Sequence, residues 1–343
     1  MSARILLCLS HSIEESQQLQ LLHELGYQVA SIGGYIDPAH PHDPKRPPLP
    51  QVPMVQAVKD AVDALGTDDN LGAAQAHIPD AILDWLGDDG IIIYHHYLDR
   101  LYGQWDRIRA WRDASSGRRI IWRSVGQSVT NNEQQAAPFR RQGLERVAYS
   151  PKEANIPGYS GHDALIRFWV DPAEYSGWTG DTQIVINITQ HLAQRHPYTN
   201  YEFWRDATKG LSAMALGPGS EAVGGSGELS YDDMHTALRM ARAYLYTGTQ
   251  PASYTLGLIE AMMTGIPIVS IGPSHHNVFP YGPSLFEGHE LASSFSDDPA
   301  VAALHLRQLL AEPAVDVSIA IRQRAIDIFG KAAVAAAWKA YLR

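Results

Sequence analysis

The sequence predicts an α/β protein of two domains, each built on a parallel sheet. Its 343 residues suit two domains of ordinary size, each with its own core. Residues 3–36 read as an apolar run, an amphipathic segment and a second apolar run, which is the pattern of a strand–helix–strand unit. Residues 243–273 repeat that pattern later in the chain. We therefore expect successive β-α-β units and buried parallel strands.

The composition is that of a folded protein without internal disulfide bonds. Hydrophobic residues make up 45% of the chain and charged residues 19%, which excludes a disordered protein. Cys8 is the only cysteine and lies in an apolar run, so we expect it to be buried and inert. The first apolar run, residues 5–9, is too short for a signal peptide or a membrane-spanning helix, and so are the later runs. We expect a soluble, cytoplasmic protein.

The charge is unevenly distributed along the chain. The net charge is −10, yet residues 100–152 contain eleven Lys or Arg against four Asp or Glu. This basic stretch has two interpretations, which the sequence leaves open. It is either a solvated face with internal ion pairs, or a docking surface for an anionic acceptor such as a lipid phosphate, a membrane surface or a nucleic acid.

Periodicity predicts the elements of the first domain. They are strands at 3–10, 27–36, 90–97, 118–125 and 146–150, and helices at 13–25, 55–65, 79–86, 104–111 and 132–141. The first strand is not followed by G-x-G-x-x-G, so a dinucleotide site there is not expected. Residues 38–53 contain seven prolines, which excludes a regular element and predicts an ordered loop or a lid.

Periodicity also predicts the elements of the second half of the chain. Its predicted strands are 183–188, 212–216, 243–247 and 266–272, and its predicted helices are 230–241, 255–264, 301–310, 319–329 and 331–342. Either Ser253 or Thr255 can cap the helix that ends near Gly265. Glu260 lies inside this apolar helix, where a carboxylate needs a hydrogen-bond partner.

The segment TGTQPASYTLGLIEAMMTGIPIV, residues 247–269, resembles the donor-site segment of GT-B glycosyltransferases, most closely the retaining family 4 enzymes. Their pattern is roughly P-S-x-x-E-G-F-G-L-x-x-x-E-A-M-A-x-G-x-P-V-V. The matching residues are Pro251, Leu256, Glu260, Ala261, Met262, Gly265, Pro267 and Val269. The resemblance implies a GT-B fold, in which two Rossmann-like domains face each other across a cleft.

That resemblance implies a division of the chain and of its roles. Residues 1–178 would form the acceptor-side domain, residues 179–330 the nucleotide-sugar-binding domain, and residues 331–343 a terminal helix that crosses back to the first domain. Closure of the two domains would exclude water from the donor.

The donor-binding residues follow from the same resemblance. Glu260 would bind the ribose hydroxyls, and the backbone amides of Tyr254, Thr255 and Leu256 would bind the diphosphate. A helix start suits a diphosphate because its N–H groups are unpaired and its dipole is positive there. Further residues implied near the nucleotide are Arg195, Gly217 and Gly219, with Lys209 or Arg205 as weaker candidates.

The candidates on the acceptor side lie where predicted strands end. His95 and His96 end one strand and Asp99 follows it, and a side chain of this kind would be the general base of an inverting enzyme. Neighbouring residues on a strand point to opposite faces, so the two histidines would not bind one metal ion. A structural role for them is the alternative. A second group, Arg123, Gly126 and Gln127, lies at the end of the 118–125 strand.

We expect a glycosyltransferase that moves a sugar from a nucleoside diphosphate sugar to an acceptor hydroxyl, with retention and without a metal ion or other cofactor. One departure matters: the family's first Glu, which contacts the donor sugar, is Ala252 here. The alternatives are an inverting enzyme, a DNA-modifying glycosyltransferase acting on hydroxymethylated bases, and a non-catalytic sugar-nucleotide-binding protein. The sequence does not specify the base, the sugar, the acceptor or the oligomeric state.

Overall fold

The computed structural model describes the chain at residues 3–8, 12–33, 35, 52–64, 77–95, 98–126, 129–175, 177–272, 274 and 295–343. The chain forms two compact units. The first comprises Met1–Tyr149, Pro157–Phe168 and Ala335–Arg343, and the second comprises Ser150–Ile156 and Trp169–Val334. Each unit contains one sheet whose strands pair in parallel. The predicted α/β class, with two parallel sheets, is confirmed.

The first unit is built on a six-stranded sheet of order β2-β1-β3-β4-β5-β6. Its strands are β1 Arg4–Cys8, β2 Gln28–Ser31, β3 Ile91–His95, β4 Arg119–Arg123, β5 Glu145–Ala148 and β6 Ala164–Leu165. The central strands are apolar runs rich in isoleucine, and Ile5, Ile92 and Ile120 are fully buried. Burial on both faces is expected for parallel strands that helices cover on each side.

Helices cover this first sheet. They are α1 Ser12–Glu24, α2 Gln56–Asp63, α3 Asp80–Leu86, α4 Asp99–Tyr102, α5 Trp105–Asp113 and α6 Thr130–Arg141. The core on one face joins strand residues such as Leu6 and Ile92 to helix residues such as Val58 and Ile82. The carboxyl ends of β1, β3 and β4 lie along one edge of the sheet, because these strands are parallel neighbours.

The second unit is built on a five-stranded sheet of order β11-β10-β9-β7-β8. Its strands are β7 Thr182–Ile188, β8 Ala213–Leu216, β9 Ala241–Tyr246, β10 Ile268–Ile271 and β11 Phe295–Ser296. Its helices are α7 Tyr201–Ala207, α8 Tyr231–Met240, α9 Leu256–Thr264, α10 Pro299–Ala311 and α11 Val315–Phe329. One face packs Val185, Ala243 and Leu245 against residues of α7 and α10. The last helix, α12 Lys331–Tyr341, belongs to the first unit from Ala335 onward.

The structure differs from the sequence prediction mainly in short elements. The two-residue strands β6 and β11, the single turn α4 and the helix α7 were not predicted, since short elements carry little periodicity. Helix α6 begins at Thr130 rather than at residue 132, and it contains Pro138. Most of the proline-rich 38–53 segment lies outside the described residues. Among the described helices, each is too short or too polar to span a membrane.

Candidate functional site

The candidate site in the second unit begins with the start of helix α9. The Thr255 hydroxyl accepts a hydrogen bond from the Leu258 amide at 3.3 Å, and the Thr255 carbonyl accepts one from Ile259 at 3.2 Å. Thr255, rather than Ser253, is therefore the N-cap residue. The helix then runs through buried residues to Gly265, whose φ of +87° ends it. The first turn presents the amides of Leu256 and Gly257 at a positive dipole end.

Gly257 lets the helix start lie directly on the end of β7. A β-carbon at this position would be 3.3 Å from the Ile188 carbonyl oxygen and 3.5 Å from the Tyr244 hydroxyl. The Tyr244 hydroxyl lies 3.4 Å from the Ile188 amide nitrogen. Burial raises the pKa of Tyr244, so this hydroxyl keeps its proton at physiological pH. The start of α9 is therefore tied to the carboxyl edge of the sheet.

Glu260, in the second turn of α9, is only 6% exposed. The Tyr175 hydroxyl donates a hydrogen bond to Glu260 Oε1 at 3.2 Å. The Thr264 hydroxyl donates to the Glu260 backbone carbonyl at 2.9 Å. The partner that a buried carboxylate requires is thus present, and it comes from a residue distant in the sequence.

A glycine-rich loop follows β8 at the same edge of the sheet. The Gly217 amide donates to the Gly227 carbonyl at 2.8 Å, which closes the loop. A β-carbon on Gly217 would lie 3.7 Å from Thr189, the residue after β7. Gly219 has a φ of +76°, and its α-carbon lies so close to the ring of His191 that a β-carbon would overlap it. The loops after β7 and β8 are therefore packed together next to the start of α9.

The two predicted phosphate-binding cations lie in different places. Arg195 is exposed in the loop after β7, and its guanidinium is 3.5 Å from the Gln190 carbonyl oxygen. Lys209 follows α7 and precedes β8, so it lies at the amino end of β8, at the edge opposite the start of α9. Arg205 is bonded to Asp206 at 2.8 Å. Of the two, Arg195 therefore lies at the carboxyl edge of the sheet, where α9 starts. Lys209 lies at the opposite edge and is not part of the candidate site.

Tyr254 directly precedes Thr255, the N-cap residue of α9. Its side chain is buried, and its ring makes an edge-to-face contact with Phe329 at a centroid distance of 5.3 Å. The ring belongs to the core of the second unit. The predicted role of Tyr254 concerns its backbone amide and not this buried side chain.

In the first unit, the catalytic candidates lie around the end of β3. His95 is the last residue of the strand and is 2% exposed, whereas Asp99 is the first residue of α4 and is exposed. Gly126 follows β4 and has a φ of +92°. His96 and Gln127 lie outside the described residues. His95, Asp99 and Gly126 thus lie at or after the carboxyl ends of the neighbouring strands β3 and β4, where the sequence places them.

The sequence places Arg123 among the acceptor-side residues, and the structure corrects this prediction, because Arg123 lies in the core of the first unit. Its side chain is fully buried. The guanidinium donates to the carbonyl oxygens of Ala148 and Ile166, and its Nη2 lies 3.7 Å from Glu14 Oε1. It also stacks over the ring of Trp338, 5.8 Å from the centroid. We assign Arg123 a structural role in joining α1, β5 and α12 within the first unit.

Sequence reasoning did not single out Glu14, the partner of Arg123. Burial raises the pKa of Glu14 to about 7, and the neighbouring Arg123 opposes that rise. The only signal in the sequence is the acidic first turn of α1, which contains Glu14 and Glu15. Acidic residues are common in first turns, so this signal does not identify a buried pair.

The basic stretch from residue 100 to 152 is largely neutralised by ion pairs. Eight of its eleven basic side chains lie within 4.0 Å of carboxylates of the described residues. The pairs are Arg107–Asp80, Arg109–Asp106, Arg112–Asp113, Arg118–Asp88, Arg119–Glu145, Arg123–Glu14, Arg140–Asp163 and Arg146–Glu133. This pattern favours an ion-paired surface over a docking surface for an anionic acceptor. Among the described residues, no group of His, Cys, Asp and Glu is placed to hold a metal ion.

Comparison with known proteins finds similarity in structure only. No protein-family model and no curated protein matches the sequence. A glycosyltransferase from Rickettsia africae ESF-5 covers 99% of this chain and 98% of its own, with a TM-score of 0.63 at 11% identity. Anabaena HepE in complex with UDP covers 100% and 99%, with a TM-score of 0.62 at 11% identity. The N-terminal domain of Candida albicans trehalose-6-phosphate phosphatase covers 100% and 97%, with a TM-score of 0.61 at 12% identity.

This chain has the GT-B fold. The likeness extends over nearly the whole chain, and two parallel-sheet units of the observed kind define that fold. At these identities the likeness establishes the fold alone. Residues 247–269 form the loop after β9, helix α9 and the first two residues of β10, as the pattern of residues 243–273 predicts.

Proposed function

We propose that this protein is a glycosyltransferase that moves a sugar from a nucleoside diphosphate sugar to an acceptor hydroxyl. The observation that carries the proposal is the start of α9. There, a capped helix N-terminus lies on the carboxyl edge of a parallel sheet, and the buried carboxylate of Glu260 follows in the next turn. Ligands of open α/β sheets bind outside the carboxyl ends of the strands, and helix starts bind phosphates.

Each group has a role in this proposal. Glu260 accepts hydrogen bonds from the ribose hydroxyls of the donor. The first-turn amides of α9 and the guanidinium of Arg195 hold the diphosphate. When the bond between the sugar and the diphosphate breaks, negative charge develops on the leaving phosphate, and fixed donors stabilise that charge. The diphosphate would therefore be compensated by the protein, without a required metal ion.

The finer features of the donor are also proposals. UDP-glucose is the first donor to test, since Anabaena HepE, which is similar in structure, has been seen with UDP and with UDP-glucose. We propose that a hexose is transferred with retention, as the resemblance of residues 247–269 implies. The anomer of the product, measured by NMR spectroscopy, decides between retention and inversion.

The test of the proposed function is donor turnover. UDP-, GDP-, ADP- and dTDP-sugars are incubated with the protein and a panel of hydroxyl acceptors, and release of the nucleoside diphosphate is measured. We expect release from one class of donor and its loss in Glu260→Ala, while Glu312→Ala, which removes an exposed carboxylate of the same unit, keeps it. Release that persists unchanged in Glu260→Ala would contradict the proposed site.

A second candidate function is binding of a nucleotide sugar without catalysis. Ala252 favours it, because this residue stands where family 4 enzymes have the Glu that contacts the donor sugar. The Ala252 amide donates a hydrogen bond to the Thr249 carbonyl at 2.8 Å, and its methyl side chain offers no hydrogen bond to a sugar. Donor binding without nucleotide release with any acceptor would support this candidate over the transferase.

A further inference from the structure

Tyr175 is the partner of the carboxylate to which the proposed function assigns the ribose. Its hydroxyl donates to Glu260 Oε1 at 3.2 Å, and the two residues are 85 positions apart in the chain. Tyr175 is buried, like Glu260. A glutamate side chain on a helix has several rotamers, and a fixed donor at one oxygen removes much of that freedom.

The ring of Tyr175 is held independently of Glu260. It packs on the ring of His235, from α8, at a centroid distance of 4.5 Å. His235 packs in turn on Tyr231, also from α8, at 4.1 Å. The Tyr231 hydroxyl donates a hydrogen bond at 2.8 Å to the carboxylate of Glu174, the residue that precedes Tyr175 in the chain. We name these three rings the aromatic column; it places the Tyr175 hydroxyl by packing on a helix other than α9.

We propose that Tyr175 is a positioning residue for donor recognition, whose hydroxyl holds the Glu260 carboxylate in the orientation in which it accepts hydrogen bonds from the ribose hydroxyls. This inference rests on the proposed function. It deepens that function by assigning the preference for ribonucleoside over deoxyribonucleoside diphosphates to a residue outside α9. A preorganised carboxylate loses less conformational entropy when the ligand binds, so its hydrogen bonds to the ribose contribute more to affinity.

Two conservative substitutions separate this role from simple packing. Tyr175→Phe removes the hydroxyl that bonds Glu260 and keeps the ring in the aromatic column. Tyr231→Phe is the matched control, because it removes a hydroxyl from the same column that bonds Glu174 instead. Both variants are first checked for a single cooperative unfolding transition without ligand, which shows that the fold is retained.

The measurement is the dissociation constant for UDP, GDP and ADP, each compared with its 2′,3′-dideoxy counterpart, by isothermal titration calorimetry. The wild-type protein is expected to prefer the ribose form of one base. Tyr175→Phe is expected to lose about tenfold in affinity for that form, because a carboxylate that is no longer held in place forms weaker hydrogen bonds to the ribose. Its affinity for the dideoxy form should change by less than about twofold, and Tyr231→Phe should keep the wild-type preference.

The other possible results overturn either the role of Tyr175 alone or the donor site as a whole. If Tyr175→Phe weakens both forms equally, or neither, its role is structural and the inference is wrong. If Glu260→Gln abolishes the ribose preference while Tyr175→Phe keeps it, the proposed function stands and the inference fails alone. If the wild-type protein binds none of the three diphosphates, the proposed donor site fails, and the inference fails with it.

Discussion

Each unit of the molecule buries a glutamate in a helix that covers its sheet, and the two carboxylates have different partners. Glu14, in the first turn of α1, faces the guanidinium of Arg123 at 3.7 Å. Glu260, in α9, receives a tyrosine hydroxyl at 3.2 Å. A guanidinium offsets the negative charge of a carboxylate. A hydroxyl carries no charge, and it only fixes the orientation of the carboxylate. We infer from this difference that Glu14 has a structural role in the core and that Glu260 can bind a ligand.

The surroundings of the two carboxylates support that distinction. Arg123 is also bonded to two backbone carbonyls and stacked on aromatic rings, so the Glu14 side chain faces a closed core. Glu260 lies one turn from a helix start that offers amide donors at a sheet edge. We therefore expect changes at Glu14 and Arg123 to alter stability, and changes at Glu260 to alter ligand binding.

Arg123→Ala is expected to have the largest effect on stability. It leaves the buried Glu14 without its cation and should lower the free energy of unfolding by about 3–5 kcal/mol. The loss should be smaller at pH 5, where Glu14 can take up a proton. Urea unfolding measures it, with Arg109→Ala as control, since the exposed Arg109–Asp106 pair is worth about 0–1 kcal/mol. Equal losses in the two variants would contradict the buried pair.

Glu14→Gln tests the same pair through pH. The folded state raises the pKa of Glu14 from 4.5 to about 7, so the folded protein holds this proton over that window while the unfolded chain has lost it. The contribution to stability is present below pH 4.5 and is lost as the pH rises to about 7. The wild-type free energy of unfolding, relative to Glu14→Gln, should thus fall by about 3 kcal/mol across that window. A difference that does not change with pH would refute the shift, and Glu24→Gln on the same helix serves as control.

Glu260→Gln should leave stability nearly unchanged and weaken donor binding. The amide keeps the shape and can still accept the Tyr175 hydrogen bond, but it lacks the charge that strengthens bonds to the ribose. The expected loss is about tenfold in affinity, measured by calorimetry with the donor that binds best. Glu312→Gln is the control. Unchanged affinity in Glu260→Gln would show that Glu260, like Glu14, does not serve a ligand.

Thr255→Ala is expected to have the smallest effect. Loss of the N-cap hydrogen bond to Leu258 should lower the free energy of unfolding by about 1 kcal/mol. Thr255→Ser keeps the hydroxyl and should restore most of it. Thermal unfolding of the three proteins measures the difference, and a Thr255→Ser variant as unstable as Thr255→Ala would argue against the cap.

The features that sequence predicted correctly are local ones. The strand–helix–strand pattern of residues 243–273 appears as β9, α9 and β10, because each element carries its own periodicity and end signals. The choice of cap, by contrast, was open between Ser253 and Thr255, since both residue types suit the position and only the backbone conformation decides.

The features that sequence could not predict are pairings between distant residues. Arg123 looked like a ligand-facing residue because it lies near a strand end, yet its partners come from α1, β5 and α12. Tyr175 and Glu260 are likewise brought together only by the fold. Strands as short as β6 are defined by their hydrogen-bonded neighbours rather than by a pattern.

The donor site at the start of α9 is tested by the melting temperature of the wild-type protein with UDP-, GDP-, ADP- and dTDP-sugars at millimolar concentration. Glu260→Ala is measured under the same conditions. A ligand that binds only the folded state must raise the melting temperature. We expect a rise in melting temperature with one nucleotide class and the loss of that rise in Glu260→Ala. No rise with any of the four donors, or the same rise in both proteins, would contradict the assignment of the α9 start and Glu260 as a donor site.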